Sequence, residues 1–295
     1  MRRRIRVRSA GGCLRSIFVC AVLCVIAVLG VRAIRSQEVV LPATEGITDL
    51  TPQKTQYTLV SKTPEDIYRG ELLLVNQAAP YQFMEDIYMV PLCEADHDSY
   101  QVKNEEVLIH QKIVDPLNDL FDDFFAIYHN DAVMVISGYR SYDYQQTLLS
   151  NEIEEKGEVE AYNWVAVPGH SEHHTGLAFD VCLYDDGVRE DYTGTDEYAW
   201  INQNAYRYGF IVRYEEDKAE LTGISHEPWH FRYVGVPHAY VMEKMGFCYE
   251  EYIDYIRNYP YGETHLLVTW EGRSWEIYYT ESTEVPVPKD KGYSI

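Results

Sequence analysis

The sequence predicts an α+β domain in which helices flank a small mixed or antiparallel sheet. Three observations support this prediction. Short strand patterns and amphipathic helix patterns are interspersed, they do not alternate as regular βαβ units, and no repeat of 20 to 50 residues is visible. The chain has 295 residues, 46% of them hydrophobic, so it can bury a substantial core and is too apolar for a disordered protein.

The amino-terminal residues 1–36 differ in composition from the rest of the chain. They contain eight Arg and no Asp or Glu, and residues 17–31 are an apolar run without a charge. A basic end before such a run predicts a transmembrane signal anchor with its amino terminus in the cytoplasm, and a signal peptide removed after export is the alternative. We therefore expect a single-pass membrane protein with an extracytoplasmic domain, or a secreted one.

The remainder of the chain is strongly acidic. The formal net charge is −22 for the whole sequence and −30 once the basic segment is set apart. A body this acidic repels phosphate backbones and lacks the basic stripe of nucleic-acid-binding proteins. This composition excludes DNA and RNA as partners.

The exported part divides into three predicted regions. Residues 37–65 show no sustained hydrophobic period and are predicted to be a linker. Residues 66–248 are predicted to form the main domain, and residues 249–295 a β-hairpin extension. The predicted elements are, in order, a strand at 72–76, an amphipathic helix at 114–128, a strand at 132–136, helices at 142–155 and 199–208, a strand at 210–212, and a hairpin of 266–270 with 273–278.

Histidines are concentrated in two stretches of the main domain. Six of the ten lie between residues 170 and 238, five of them in the segments 168–181 and 225–233. Neutral imidazole and carboxylate are the ordinary ligands of zinc, so this density in an acidic exported domain suggests a metal site. For any one histidine taken alone, an ordinary hydrogen-bonding role is the alternative.

The second stretch contains His226, Glu227 and His230 in the pattern H-E-x-x-H, which binds zinc when it lies on a helix. Pro228 lies inside the motif and disfavours a helix, and residues 229–234 have the composition of a strand. We therefore predict a kinked strand, on which Glu227 and His230 can still converge while a further ligand comes from elsewhere.

Three motifs together resemble the zinc D-alanyl-D-alanine carboxypeptidases of the VanY type. They are Ser-Gly-Tyr-Arg-Ser at 137–141, Ser-x-His-x-x-Gly-x-Ala-x-Asp at 171–180, and Glu-Pro-Trp-His at 227–230. The resemblance covers about residues 66–240.

What the resemblance implies is one zinc ion held by His173, Asp180 and His230, with Glu227 as catalytic base and Arg140 as the substrate-side cation. The substrate-binding candidates are Gln145, Ser171, Tyr139 and Trp229. Two His and one carboxylate leave a fourth zinc position open for water, which agrees with hydrolysis.

The expected activity is removal of the terminal D-Ala from peptidoglycan stem peptides by a protein of the bacterial cell membrane. An L,D-carboxypeptidase acting on tetrapeptide stems and an inactive zinc-bearing peptidoglycan-binding module are the alternatives. Penicillin-sensitive serine carboxypeptidases are excluded, because the chain has neither an S-x-x-K nor a K-T-G motif.

Overall fold

The computed structural model describes residues 45–52, 57–84, 88–289 and 291–294. The predicted signal anchor at 1–36 lies outside these residues. Among the helices of the described part, none combines the length and the apolar character needed to span a bilayer.

The described α-helices are α1 (Val114–Tyr128), α2 (Tyr142–Lys156), α3 (Glu158–Ala161), α4 (Ala199–Asn204), α5 (Ala219–Thr222), α6 (Val236–Met245) and α7 (Tyr249–Ile256). The described strands are β1 (Gly46–Leu50), β2 (Tyr57–Ser61), β3 (Met89–Pro91), β4 (Gln101–Val102), β5 (Leu108–His110), β6 (Val133–Ser137), β7 (Ala178–Asp185), β8 (Val188–Glu190), β9 (Phe210–Tyr214), β10 (Glu227–Tyr233), β11 (His265–Trp270), β12 (Arg273–Ile277) and β13 (Glu284–Pro288).

The main domain is built on a sheet with the order β4-β6-β7-β10-β9, to which β8 adds at β7. The β4 and β6 strands are parallel and the other pairs are antiparallel, so the predicted mixed sheet is confirmed. Helix α1 covers this sheet with the predicted stripe, because Leu117, Leu120, Phe121 and Phe124 are fully buried in the same core as the sheet residue Phe179. Each such side chain contributes about 1.5–3 kcal/mol of burial free energy.

Two predicted elements differ from the structure. Residues 72–76 form no strand, because Arg232 Nη2 donates hydrogen bonds to the backbone oxygens of Glu71 and Leu73, where a strand would offer them to a neighbouring strand. The helix predicted at 199–208 consists of α4 followed by a 3-10 turn, and it ends at Gly209, whose φ of +86° suits glycine.

The range predicted as a linker contains two strands. Strand β1 pairs with β11 of the β11–β12 hairpin, and β2 pairs with β13, so both ends of the described chain share two small antiparallel sheets. The hairpin itself is confirmed. The partners of β1 and β2 lie more than 200 residues away in sequence, and no local pattern could have indicated such pairing.

Candidate metal centre

Three buried side chains from neighbouring elements form a cluster that can hold a metal ion. His173 lies on a 3-10 turn (Glu172–Thr175), Asp180 lies on β7, and His230 lies opposite Asp180 in the β7–β10 register. One ligand atom from each residue lies within 4.8 Å of the other two. Two imidazoles and one carboxylate at this spacing suit a catalytic zinc ion.

The hydrogen bonds of the two imidazoles indicate which nitrogen faces the cluster. His173 Nδ1 donates to the Gly138 backbone oxygen at 2.6 Å, which leaves His173 Nε2 buried without a hydrogen-bond partner and 3.3 Å from Asp180 Oδ2. His230 Nδ1 lies 2.9 Å from Asp180 Oδ1, so its Nε2 points away from the cluster. A buried nitrogen lone pair that no protein group satisfies is what a metal ligand requires.

The electrostatics of the cluster keep its donors in different protonation states. Burial lowers the pKa of His173 to about 4, so this imidazole is neutral. Burial opposes ionisation of Asp180, yet its interactions with the His173 imidazole and the Arg140 guanidinium hold its pKa well below the ordinary value. Against the opposing effect of burial, the hydrogen bond to Asp180 and the nearby Glu172 carboxylate raise the pKa of His230 to about 9. A metal cation placed here would take over the role of that proton.

Glu227 lies beside the cluster on β10. Its Oε2 is 3.8 Å from His230 Nδ1, and burial raises the pKa of its carboxyl to about 8. The register between β10 and β9 shifts between Glu227 and Phe231, so the kinked strand predicted around Pro228 is confirmed. His226 lies outside the three-residue cluster, and its Nδ1 donates to the backbone oxygen of Tyr214.

Arg140 reaches the cluster from the loop between β6 and α2. Its Nη2 forms a short ion pair with Asp180 Oδ2, and its Nε donates to Ser137 Oγ at 2.9 Å. The guanidinium therefore fixes the Asp180 carboxylate in place.

The cluster lies in a cavity of about 340 Å³. Of the residues predicted to bind substrate, Gln145, Ser171 and Trp229 line the cavity together with Arg140 and Glu227. Gln145 Nε2 donates to the Ala166 backbone oxygen, which leaves Gln145 Oε1 as a buried acceptor without a partner. The structure does not place Tyr139 among the lining residues.

Several residues near the site were not among those predicted from the sequence. Trp164 lines the cavity and stacks on Trp229, with ring centroids 6.4 Å apart. Behind His230 lie three fully buried charges, those of Glu172, Arg213 and Arg232. Arg213 and Arg232 could have been noticed in the sequence, because each lies in or directly beside a predicted strand segment among apolar residues, and an Arg in such a place is buried only when it is paired.

Comparison with known proteins identifies relatives of the chain. Residues 106–236 match the family model VanY, described as D-alanyl-D-alanine carboxypeptidase. A D-alanyl-D-alanine carboxypeptidase of Enterococcus faecium is 34% identical over 253 residues, which cover 83% of this chain and 77% of the relative.

Solved structures resemble the fold as well. The D,D-dipeptidase VanXYg in complex with a D-Ala-D-Ala phosphinate analog has a TM-score of 0.68 at 31% identity, over 83% of this chain and 92% of that chain. A mutant of the D,D-pentapeptidase VanY in complex with Zn(II) has a TM-score of 0.52 at 38% identity, over 62% of this chain and 98% of that chain. The LD-carboxypeptidase LdcB has a TM-score of 0.54 at 32% identity, over 70% of this chain and 98% of that chain.

Proposed function

The chain belongs to the VanY family of D-alanyl-D-alanine carboxypeptidases, and from this premise we propose that it removes the terminal D-alanine of peptidoglycan stem peptides by zinc-dependent hydrolysis. The observation that carries the proposal is the buried cluster of His173, Asp180 and His230, with the Glu227 carboxyl 3.8 Å from His230 in a cavity large enough for the end of a peptide.

One zinc ion fits the donor set. His173 would bind it through Nε2, Asp180 through a carboxylate oxygen and His230 through Nδ1, since these atoms face one another and the opposite nitrogen of His173 is already hydrogen-bonded. When bound, zinc lowers the pKa of a coordinated water and polarises the scissile carbonyl.

Glu227 is the general base of the proposed reaction. Its carboxylate accepts a proton from the water that attacks the peptide carbonyl and then delivers that proton to the leaving amine of D-alanine. Burial raises the pKa of Glu227 to about 8, and the positive charge of a bound zinc ion would oppose this effect and favour the carboxylate form that a base requires.

The cavity residues supply substrate recognition. Arg140 offers N–H donors to the oxyanion or to the terminal carboxylate of the substrate. Gln145 Oε1 is an acceptor and therefore suits a peptide N–H of the substrate rather than its carboxylate. Ser171 and Trp229 line the same space, and the stacked Trp164 and Trp229 rings offer an apolar wall to the peptide.

Two other functions are less well supported. L,D-carboxypeptidase activity is compatible with the likeness to LdcB, whereas the family model and the Enterococcus relative are both D-alanyl-D-alanine carboxypeptidases. An inert zinc-bearing module needs no buried carboxyl beside its metal ligands, and structural zinc sites are closed by four protein ligands.

The proposal extends to location. The basic and apolar composition of residues 1–36 supports a single membrane anchor, with the catalytic domain on the outer face of the bacterial cell membrane where peptidoglycan lies. Membrane fractionation of cells that express the full chain tests this point, because recovery of the intact protein from the medium alone would contradict anchoring.

Mass spectrometry of stem peptides tests the activity. The zinc-loaded full chain in detergent is incubated separately with a pentapeptide ending in D-Ala-D-Ala and with the corresponding tetrapeptide. We expect loss of one alanine from the pentapeptide and none from the tetrapeptide. Cleavage of the tetrapeptide alone would establish L,D activity, and binding without any cleavage would establish an inert module.

A further inference from the structure

Glu172 lies directly before the ligand His173 on the same 3-10 turn, and its side chain is fully buried behind the other histidine ligand. Its Oε2 is 3.7 Å from Nε2 of His230. We propose that Glu172 is a positioning residue, whose carboxylate accepts the Nε2–H of His230 and thereby holds Nδ1 toward the zinc ion. This inference rests on the zinc site of the proposed function and concerns how that site is built.

The first argument is that each of the two atoms lacks any other partner. Glu172 Oε2 and His230 Nε2 are both buried and make no hydrogen bond in the described structure. Buried polar atoms are satisfied in nearly all native proteins. An approach of about 1 Å would convert the 3.7 Å separation into an ordinary hydrogen bond that satisfies both atoms.

The second argument is that the other carboxylate oxygen is already occupied. Glu172 Oε1 accepts from Arg213 Nε at 2.8 Å and lies 3.3 Å from Arg232 Nη1. Both guanidinium groups are fully buried and held from behind, Arg213 by Glu250 and Arg232 by backbone oxygens. The carboxylate is therefore clamped at Oε1, which aims Oε2 at the imidazole.

The third argument concerns the tautomer of His230. An imidazole that binds a metal through Nδ1 carries its proton on Nε2, and metal-binding histidines usually donate that proton to a carboxylate or carbonyl. In His173 the two ring nitrogens have the opposite roles: Nδ1 donates its proton to the Gly138 backbone oxygen, and Nε2 faces the cluster. One short turn thus delivers a ligand, His173, and the acceptor that orients the second ligand, His230.

A purely structural role would be different. If Glu172 served only to neutralise Arg213 and Arg232, its contribution would be to folding and would leave the metal site unaffected. Glu250 is the matched control, because it is the other carboxylate on Arg213, at 2.6 Å from Nη2, and its hydrogen bonds in the described structure go to Arg213 and Asn76 rather than to His230.

The first measurement uses the wild-type zinc protein. Long-range proton–nitrogen NMR spectra of histidine-labelled full chain in detergent, assigned with a His230→Gln sample, report which ring nitrogen carries the proton. We expect a proton on Nε2 of His230 and none on Nδ1. A protonated Nδ1 in the zinc-bound protein would overturn the proposal, and this measurement does not depend on any variant that must fold.

The second measurement compares metal binding in variants. In Glu172→Gln the amide oxygen is needed by the arginines, so its NH2 group faces Nε2–H, and we expect zinc affinity in chelator competition to fall about 10- to 100-fold. Glu172→Asp keeps the charge for the arginines but withdraws the acceptor, and the same direction is expected. Glu250→Gln should lower thermal stability and leave zinc affinity within about twofold.

The visible spectrum of the cobalt-substituted protein reports the geometry at the metal. It should change in Glu172→Gln and remain that of wild type in Glu250→Gln. Wild-type affinity and an unchanged cobalt spectrum in a folded Glu172 variant would reduce Glu172 to a structural role. Neither readout requires turnover, so a protein that binds zinc but releases no D-alanine refutes the proposed function alone.

Discussion

Glu227 and His230 lie three residues apart on one strand, yet Oε2 of the first is 3.8 Å from Nδ1 of the second. In a regular strand, residues i and i+3 point to opposite faces of the sheet. The register of β10 against β9 shifts between Glu227 and Phe231, and Pro228 lies within that irregular stretch. The bulge brings the carboxyl and the imidazole to the same face, so Glu227 lies beside the candidate metal cluster although the segment is not a helix.

This relationship predicts the effect of Glu227→Gln. The amide keeps the size of the side chain but cannot accept a proton, so turnover should fall by about 100- to 10,000-fold, the usual range for a general base. Zinc content, measured by elemental analysis after dialysis, should remain that of wild type, because the three ligands are untouched.

His230→Gln is the matched comparison from the same strand and should lose zinc together with activity. Loss of zinc in Glu227→Gln would make Glu227 a ligand and would contradict its assignment as a base.

Part of the site was predictable because its signals are local. Pro228 disfavoured a helix and residues 229–234 had the composition of a strand, so Glu227 and His230 were not predicted to lie on a zinc-binding helix of the H-E-x-x-H type. His173 and Asp180 were implied as zinc ligands by the resemblance to the VanY-type carboxypeptidases, which the motif at 171–180 helps to carry. Helix α1 was predicted to the residue because its core face repeats at 3.6 residues per turn.

The remainder depends on contacts between distant residues. Strands β1 and β2 become strands only through partners near the carboxyl end, and residues 72–76 form no strand because Arg232 bonds the backbone oxygens of Glu71 and Leu73. The role of Glu172 depends on which nitrogen of His230 faces it, and that follows from three-dimensional packing rather than from residue spacing.

Removal of zinc should abolish the release of D-alanine. A chelator such as EDTA should reduce the rate to background, and added zinc should restore it, because the protein residues alone supply only a base and hydrogen-bond donors. Penicillin should have no effect, because the chain lacks the serine motifs that penicillin acylates. Full activity after exhaustive zinc removal would contradict the mechanism.

Gln145 offers a test of substrate recognition. Gln145→Ala removes the buried acceptor Oε1, and kcat/KM for the pentapeptide should fall about 5- to 10-fold, as expected for one lost hydrogen bond. Gln146→Ala removes the neighbouring, exposed amide of the same helix and should leave kcat/KM unchanged. Equal effects of the two substitutions would assign Gln145 to helix stability rather than to the substrate.

Gly138 should tolerate no side chain. A Cβ at this position would lie 2.1 Å from the backbone oxygen of Leu108, so Gly138→Ala must displace the carbonyl that accepts from His173 Nδ1. We expect a lower melting temperature and weaker zinc binding by chelator competition. Gly292→Ala, where a Cβ meets nothing within 4 Å, should change neither quantity. Normal zinc affinity in Gly138→Ala would show that this carbonyl does not orient His173.

His238 predicts how stability depends on pH outside the metal site. Burial lowers the pKa of this imidazole from 6.5 to about 4, and its Nδ1 is 2.6 Å from Tyr252 Oη. Between these two pH values the unfolded chain binds a proton that the folded chain does not, so the free energy of unfolding must fall as the pH decreases.

The loss due to His238 should be about 2 kcal/mol on going from pH 7.5 to 4.5. Urea unfolding at both pH values measures it, and His238→Gln supplies the comparison, because an amide can hydrogen-bond to Tyr252 without titrating. Wild type should therefore lose more stability than the variant. Equal losses would mean that His238 is protonated in the fold, and the acid sensitivity would then belong to other groups.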